Sequence, residues 1–425
     1  MADHRQSSDT PSSIPDDLIP EIISRLPARA VLRSRAICKL WRSIIDDDRF
    51  PHAHRRHQPH MPLLRLYRDG SLEPPELNPP HLRVRIEGID LRARASQPVI
   101  RFAVAQEHKH AIESEEQRPR RDRNFRYIDP AKLSHPSAFD VHGSCDGVLL
   151  ISHGWSIYAY NPATRCWADL PENDSTVIGF YVHRPSGNFH ILLSNRLRRA
   201  EHWVFTMGHK VVQRRIPSPE FLSDQNRIRP ACESPPALVS GNLHWLPQSF
   251  QSDRQLLAFD TVSETFRWMS PPNVDADGRA LLELEGMLTM TVMRGERTVQ
   301  LWVMPDYQQP AWFCKLQFSL SVDHIDRFSG VAVVSLEGDV LVHGERCVLQ
   351  CDSKGRVQKH HKLDCHRTVA MPHLFKENLV RHGCLDCPQP KAGWRGRERP
   401  PFFRDMRWML LPYMKVDGEV IPQKM

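Results

Sequence analysis

Apolar residues follow two different periods along this chain of 425 residues. Near the N-terminus, Leu18, Ile22 and Leu26 recur every four residues, as they do on one face of an α-helix. From about position 140 onward, short apolar runs alternate with polar positions and end at turn residues, as in β-strands. The pattern predicts a small helical segment in front of a mainly β domain.

Prolines limit the predicted helices. Pro15 and Pro20 lie ahead of and within the first turn of the first helix, where a missing N–H costs little, and Pro27 ends that helix. A second helix and a third are marked by apolar residues: Val31 and Leu32, then Leu40, Trp41, Ile44 and Ile45. Three short helices cannot bury all these side chains among themselves, because the segment is too small for a core of its own. Some of them must face the rest of the chain or a partner protein.

A repeat organises the β domain. Segments 143–171 and 240–272 share one order of strands and turns, in which an Asn or Asp turn precedes a strand that contains Trp. Weaker copies begin at 285 and 337, and a further strand group follows the first copy. Trp268, Trp312 and Val357 are 44 and 45 positions apart, a period typical of β-propeller blades. Five units within 143–363, with strand-like stretches on either side, predict a propeller of about 6–7 blades whose repeated tryptophans pack the core.

The order and spacing of the helical anchors resemble the F-box. The anchors are Ile14-Pro15, Leu18, Ile22, Leu26-Pro27, Cys38-Lys39, Trp41-Arg42, Ile44-Ile45 and Phe50. The resemblance implies binding to the Skp-type adaptor of cullin-based (SCF) ubiquitin ligases through Ile14, Pro15, Leu18, Ile22, Leu26, Leu32, Cys38 and Trp41. Six basic residues from Arg25 to Arg42, with no acidic residue among them, suit an acidic partner, although a solvated face is the alternative.

Segment 143–171 resembles the opening of the F-box-associated, kelch-like domain that is common in plant F-box proteins, and 371–382 resembles its closing segment. The fold expected is therefore mainly β, with a three-helix F-box ahead of a propeller-like domain. Its predicted parts are a disordered N-terminus at 1–13, the F-box at 14–50, a linker at 51–62, the propeller-like domain at 63–415 and a tail at 416–425. The linker assignment depends on the polar, His-rich run at 52–60.

The resemblance implies an adaptor and not an enzyme. The F-box would bind the Skp-type adaptor and, through it, a cullin, while the propeller captures a target protein for ubiquitination. The alternative is a propeller enzyme or a carbohydrate- or ligand-binding module with an incidental helical N-terminus. Such an enzyme should gather carboxylates or His at one propeller mouth. Loops 217–235 and 271–278 are the candidate target-binding segments, and the target itself stays unknown.

Composition excludes several classes of function. The net charge of +7 is too small to indicate nucleic-acid binding, and no apolar run is long enough to span a membrane. The polar N-terminus lacks a secretory signal, and ten scattered Cys fit a reducing compartment, which predicts a cytoplasmic or nuclear protein. The sequence carries no nucleotide-binding, hydrolase or metalloprotease motif, so no catalytic residue or cofactor is expected.

Two short segments suggest chemistry that we do not favour. Cys384 and Cys387 form one C-x-x-C, which could complete a zinc site with His360, His361 or Cys365. No second pair of this kind exists, so we expect no metal. The basic run at 118–126 is typical of nuclear localisation or phosphate binding, but an exposed, solvated loop is the preferred interpretation.

Overall fold

The computed structural model describes residues 15–68, 82–90 and 95–104, most of 139–385, and two short strands within 415–420. The predicted disordered segment at 1–13 and the basic run at 118–126 lie outside the described residues. The two short strands pair with each other across the boundary that the sequence placed between 415 and 416.

A 3₁₀ turn and four α-helices form the helical unit, residues 16–57. They are the 3₁₀ turn Asp16–Leu18, α1 Ile19–Ser24, α2 Ala28–Ser34, α3 Lys39–Ile45 and α4 Phe50–His57. Pro20 stands in the first turn of α1 and Pro27 directly precedes α2, both positions at which a helix needs no N–H. The three helices predicted from the sequence are confirmed.

The fourth helix corrects the prediction of a linker at 51–62, which is wrong. α4 covers Phe50–His57, and the first strand already begins at Met61. Phe50 and His54 lie one helical turn apart, both are buried, and His54 Nε2 is 2.9 Å from the carbonyl oxygen of Leu26. Burial lowers the pKa of His54 to about 4, so a neutral imidazole packs inside the helical unit at pH 7. The polar composition of 52–60 does not reveal this helix, because only the tertiary packing turns His54 inward.

The described part of the chain contains 28 strands. The first seventeen are β1 Met61–Arg68, β2 Leu82–Asp90, β3 Ala95–Val104, β4 Phe139–Cys145, β5 Val148–His153, β6 Ser156–Asn161, β7 Cys166–Leu170, β8 Ser175–His183, β9 Asn188–Asn195, β10 His202–Thr206, β11 Val212–Ile216, β12 Asn226–Arg227, β13 Ala237–Val239, β14 Asn242–Trp245, β15 Gln248–Ser249, β16 Leu256–Asp260 and β17 Thr265–Met269. The others are β18 Gly278–Leu284, β19 Met287–Arg294, β20 Thr298–Met304, β21 Phe313–Ser319, β22 Phe328–Val333, β23 Val340–Gly344, β24 Cys347–Cys351, β25 Val357–Lys362, β26 Thr368–Phe375, β27 Lys415–Val416 and β28 Glu419–Val420.

Most strands form four-stranded antiparallel sheets, the blades of a propeller. Five sheets follow one another along the chain and correspond to the five predicted units: β4–β7, β8–β11, β13-β14-β16-β17, β18–β21 and β22–β25. The sixth has the order β26-β1-β2-β3, so the last strand of the propeller pairs with its first. This sheet joins the two ends of the domain.

Burial explains the strand sequences. The middle strand β9 is buried on both faces from Phe189 to Ser194, because neighbouring sheets cover it on either side. The outer strand β11 exposes its side chains from Val212 to Arg215. The inner strand β4 contacts β8 and β26 in the adjacent sheets, and β18 contacts β13 and β22 in the same way. The core therefore lies between the blades.

The Asn and Asp turns predicted as one repeated device share their geometry. Asn161 Oδ1 accepts hydrogen bonds from the backbone N–H groups of the residues two and three further on, at 3.0 and 3.2 Å. Asp260 does the same at 2.8 and 2.9 Å. Each turn then places a residue in the left-handed region just before the next strand, Arg165 at φ 60° and Glu264 at φ 54°. The polar side chain at the start of the turn thus sets the conformation of both loops.

The repeated tryptophans pack between blades, as predicted. Trp167, Trp268 and Trp312 are half-buried and lie against three different apolar clusters. Trp245 is more deeply buried, at 3% exposed, and its indole Nε1 donates a hydrogen bond of 3.0 Å to the carbonyl oxygen of Ile178 in the neighbouring sheet. These tryptophans are therefore part of the core.

Candidate functional site: the exposed apolar face of the helical unit

The helical unit exposes five large aliphatic side chains, which we call the apolar face. They are Leu18 at 49% exposed, Ile22 at 39%, Leu32 at 44%, Ile37 at 64% and Leu40 at 40%. Half of the large exposed aliphatic and aromatic side chains of the described residues thus lie within 23 positions. Such a concentration of exposed apolar residues makes this face a candidate protein-interaction surface.

The structure divides the predicted adaptor-binding residues into two groups. Pro15, Leu18, Ile22, Leu32 and Cys38 are exposed. Leu26 and Trp41 are half-buried and pack against the core of the helical unit, and Ile14 lies outside the described residues. Their contact with an adaptor stays a prediction for all eight residues.

Sequence reasoning missed Ile37 and Leu40 as members of the apolar face. Ile37 lies in the turn between α2 and α3, where a large aliphatic side chain has no core to enter. Its position in a turn between two short amphipathic helices was the signal that could have found it. Next to it, Cys38 closes the N-terminus of α3, since its Sγ accepts a hydrogen bond from the backbone N–H of Trp41 at 3.5 Å.

The basic residues around the apolar face are partly neutralised. Arg25 is hydrogen-bonded to Glu21, one helical turn earlier, with its Nε 2.9 Å from the Glu21 Oε1. Arg35 lies 2.8 Å from a carboxyl oxygen of Asp46. Within the described residues, Arg29, Arg33 and Lys39 make no such ion pair. A positive rim therefore remains, although it is smaller than the sequence suggests.

Other residues of the helical unit are docked on the propeller. Ala28, at the start of α2, donates its backbone N–H to Glu377 Oε2 at 2.7 Å. Leu379 packs into the core formed by Ile19, Ile23 and Val31. The sequence left open whether the excess apolar residues face the chain or a partner. The structure shows one set packed against the chain and another, the apolar face, exposed.

Residues 376–382, which we call the seat segment, carry these contacts and are themselves fixed to the propeller. Asn378 is 1% exposed, and its Nδ2 donates to the carbonyl oxygen of Asp146 at 2.8 Å. Its own carbonyl oxygen accepts from Asn161 Nδ2 at 3.0 Å. Arg55 of α4 forms an ion pair with the Asp146 side chain, which adds a direct link from helix to blade. Two hairpin turns of one blade and the seat segment thus meet beneath the helical unit.

The seat places a carboxyl group in a poorly solvated position. Burial raises the pKa of Glu377, and the hydrogen bond from the Ala28 N–H acts in the opposite direction. Among the described groups, that backbone N–H is the hydrogen-bond donor to this carboxylate. The charge of Glu377 is therefore only partly compensated.

A second group of titratable residues lies between the sheets β8–β11 and β13–β17. Glu264 Oε1 accepts from the Tyr181 hydroxyl at 2.8 Å and lies 2.8 Å from His190 Nδ1, and its other oxygen pairs with Arg214. His190 Nε2 is in turn 3.2 Å from Thr206 Oγ1. Burial, with the nearby His183 and Arg214, lowers the pKa of His190 to about 4. These groups bind one another across two blades, so the arrangement is a clip within the propeller.

Metal-binding residues do not come together in the part of the chain that the structure describes. No group of three or more His, Cys, Asp or Glu is placed there to hold a metal ion. Cys384 packs against the apolar cluster of the β4–β7 and β8–β11 sheets. Cys365 and Cys387, which a zinc site would need, and the side chains of His360 and His361 lie outside the described residues. In the same described part, no helix is long and apolar enough to cross a membrane.

Comparison with known proteins identifies both regions. Residues 11–53 match the F-box domain, and residues 99–346 match the F-box associated beta propeller domain. An Arabidopsis thaliana protein named "F-box protein At3g07870" is 25% identical over 337 residues, which cover 69% of this chain and 70% of that protein. Another from Arabidopsis thaliana, "Putative F-box protein At1g33530", is 25% identical over 303 residues, covering 68% of this chain and 59% of that one. With more than half of its length matched by the propeller family, this chain belongs to the F-box proteins that carry an F-box associated β-propeller domain.

Proposed function

We propose that this protein is the substrate-recognition adaptor of an SCF-type ubiquitin ligase. The observation that carries the proposal is the apolar face: five large aliphatic side chains stay exposed on a helical unit whose core is already packed against the propeller. The Skp-type adaptor would cover this face and connect the protein to a cullin. The remaining positive rim favours an acidic surface on that partner.

The propeller would hold the target while the ligase transfers ubiquitin to it. The protein contributes no catalytic group in this scheme. It raises the effective concentration of the target lysine near the charged conjugating enzyme, in the cytoplasm or the nucleus.

The strand order favours one propeller face for the target. In each four-stranded meander, the turn between the first and second strands and the turn between the third and fourth lie at the same end of the strands. The seat segment contacts this end through Asp146 and Asn161. The connections from an outer strand to the next blade leave from the opposite end of the strands. Loops 217–235 and 271–278 are connections of this kind, between β11 and β13 and between β17 and β18. Both lie partly outside the described residues, and their ends point away from the helical unit.

The test removes two side chains of the apolar face in the full-length protein. Leu18→Ala combined with Ile22→Ala should weaken binding of purified Skp-type adaptor at least 100-fold, because buried interface aliphatics typically cost about 2–4 kcal/mol each on truncation. Isothermal titration calorimetry measures the affinity. Val262→Ala, which truncates an aliphatic side chain that is 50% exposed on a propeller turn, is the matched control and should bind normally. Wild-type affinity in the double variant, with circular dichroism unchanged, would refute the assigned interface.

A further inference from the structure

We infer that the seat segment fixes the direction in which the helical unit presents its apolar face, which makes Glu377 and Leu379 positioning residues for ubiquitin transfer. The inference rests on the proposed function. Positioning matters because transfer to a lysine falls steeply when the reacting groups are misplaced.

The chain leaves the helical unit and returns to it at neighbouring strands. α4 ends at His57, and β1 begins at Met61. Met61 pairs directly with Phe375, the last residue of β26, and Glu377 follows two residues later. β1 and β26 are therefore neighbours in one sheet, and the seat segment directly follows β26. The helical unit is held at two points of the same blade, so it cannot swing about a single connection.

The connection on the entry side is itself fixed. Gln58, just after α4, is 5% exposed, and its Nε2 donates to the carbonyl oxygens of Ser24 and Leu26, both at 3.1 Å. These two carbonyls lie at the C-terminal end of α1, where the helix leaves its acceptors unsatisfied. The short connection to β1 is thus bonded back to the first helix and does not act as a flexible linker.

The contact on the seat side combines a specific polar bond with apolar packing. Glu377 accepts the N–H of Ala28, one of the first-turn donors that have no partner within α2. Leu379, at 9% exposed, completes the core of the helical unit beside Ala28 and Val31. The Glu377 hydrogen bond orients the start of α2. Separation of the helical unit from the propeller would expose the core around Leu379 to water and is therefore unfavourable.

A matched pair of glutamate variants in the full-length protein separates positioning from general stability. Glu377→Ala removes the acceptor at the seat. Glu283→Ala is the control: it removes an exposed carboxylate that accepts a backbone N–H at 2.6 Å in the turn between β18 and β19. Glu377→Gln keeps a side-chain oxygen acceptor and should restore most of the wild-type behaviour.

Two measurements are made on each variant. Hydrogen–deuterium exchange follows the amide of Ala28, which should exchange at least tenfold faster in Glu377→Ala than in the wild type or in Glu283→Ala. Reconstituted ligase with purified Skp-type adaptor, cullin and conjugating enzyme then reports which lysines of the propeller acquire ubiquitin. Glu377→Ala should redistribute modification among these lysines by threefold or more, while adaptor affinity stays within twofold of the wild type.

The inference and the proposed function are tested by different results. An Ala28 amide that stays protected in Glu377→Ala would overturn the inference, as would faster exchange with an unchanged lysine pattern. Failure of the wild-type protein to bind the adaptor would instead overturn the proposed function. The exchange measurement needs no adaptor, so in that case it still determines whether Glu377 holds the helical unit on the propeller.

Discussion

Two glutamates of this protein reach across an interface, and their surroundings differ. Glu264 crosses from one blade to the next and meets Tyr181, His190 and Arg214. Glu377 crosses from the propeller to the helical unit and, among the described residues, accepts from one backbone N–H, that of Ala28. The first carboxylate is paired with a guanidinium and two further hydrogen-bond partners, whereas burial of the second raises its pKa.

The difference indicates which interface is permanent. Removing one partner from a buried, fully bonded charge leaves the others without compensation, so the clip at Glu264 strongly opposes separation of its two blades. A single hydrogen bond from a backbone N–H to a charged group is worth about 1.5–3 kcal/mol, and at the seat the desolvation of Glu377 offsets part of that gain. We therefore expect the joint with the helical unit to open at a lower free energy than the contact between blades.

The largest expected effect comes from breaking the clip. Glu264→Ala should lower the free energy of unfolding by about 3–5 kcal/mol, because His190 and Tyr181 lose their acceptor inside the core. Urea unfolding followed by tryptophan fluorescence measures the change. Glu201→Ala is the control. The Glu201 carboxylate pairs at 3.4 Å with Arg215, which follows Arg214 on β11 and has a side chain that is 66% exposed. That pair should be worth less than about 1 kcal/mol, and equal losses in both variants would contradict the comparison.

A glycine under the seat offers an intermediate effect. Gly147 has φ +78°, and a Cβ built on it would lie 2.3 Å from the Cβ of Asn378. Gly241 occupies the equivalent hairpin turn in the blade of Glu264, with φ +75°, and its Cβ would meet nothing closer than 3.9 Å. Both Ala variants should lose about 1–2 kcal/mol from the left-handed conformation.

The two glycine variants should then differ at the seat. Gly147→Ala should also displace Asn378, and so release the Ala28 amide to hydrogen exchange, while Gly241→Ala should leave that amide protected. Thermal unfolding gives the common loss, and exchange at Ala28 gives the difference between the variants. Equal protection of Ala28 in both would mean that the seat segment can move without freeing the helical unit.

The smallest expected effect is a pH dependence of opposite sign at the two sites. The folded-state pKa of His190 is about 4, below its ordinary value of 6.5, so the unfolded chain takes up this proton first as the pH falls. The stability contribution of a neutral His190 is complete above pH 6.5 and is lost between pH 6.5 and 4. Glu377, with a raised pKa, binds its proton more readily when docked, so docking should strengthen as the pH falls toward the ordinary glutamate range.

Urea unfolding at pH 7, 6 and 5 measures the first trend, and protection of the Ala28 amide, corrected for intrinsic exchange, measures the second. His190→Gln should flatten the dependence of global stability by up to about 1.4 kcal/mol per pH unit, the value for one proton. His244, whose pKa burial also lowers to about 4, should keep part of the slope. A slope unchanged by His190→Gln would place the titration elsewhere.

The sequence by itself determined the features that depend on neighbouring residues. The four-residue period of Leu18, Ile22 and Leu26, together with the prolines, was enough to predict the short helices. The turns at Asn161 and Asp260 could be recognised as one device because each side chain bonds to backbone N–H groups only two and three residues away. Repetition of such local units along the chain then predicted the blades.

Only the tertiary structure decided which residues join distant segments. α4 was not recognised because inward packing of His54 depends on its contact with Leu26, 28 residues earlier. Glu377 and Ala28 are 349 residues apart, and nothing in the pattern around either one indicates the other. From the sequence alone, a carboxylate in a loop is predicted to be solvated, and only the fold shows which group it contacts. Pairing of β26 with β1 closes the propeller and brings the end of the domain beneath its beginning, and that closure builds the seat.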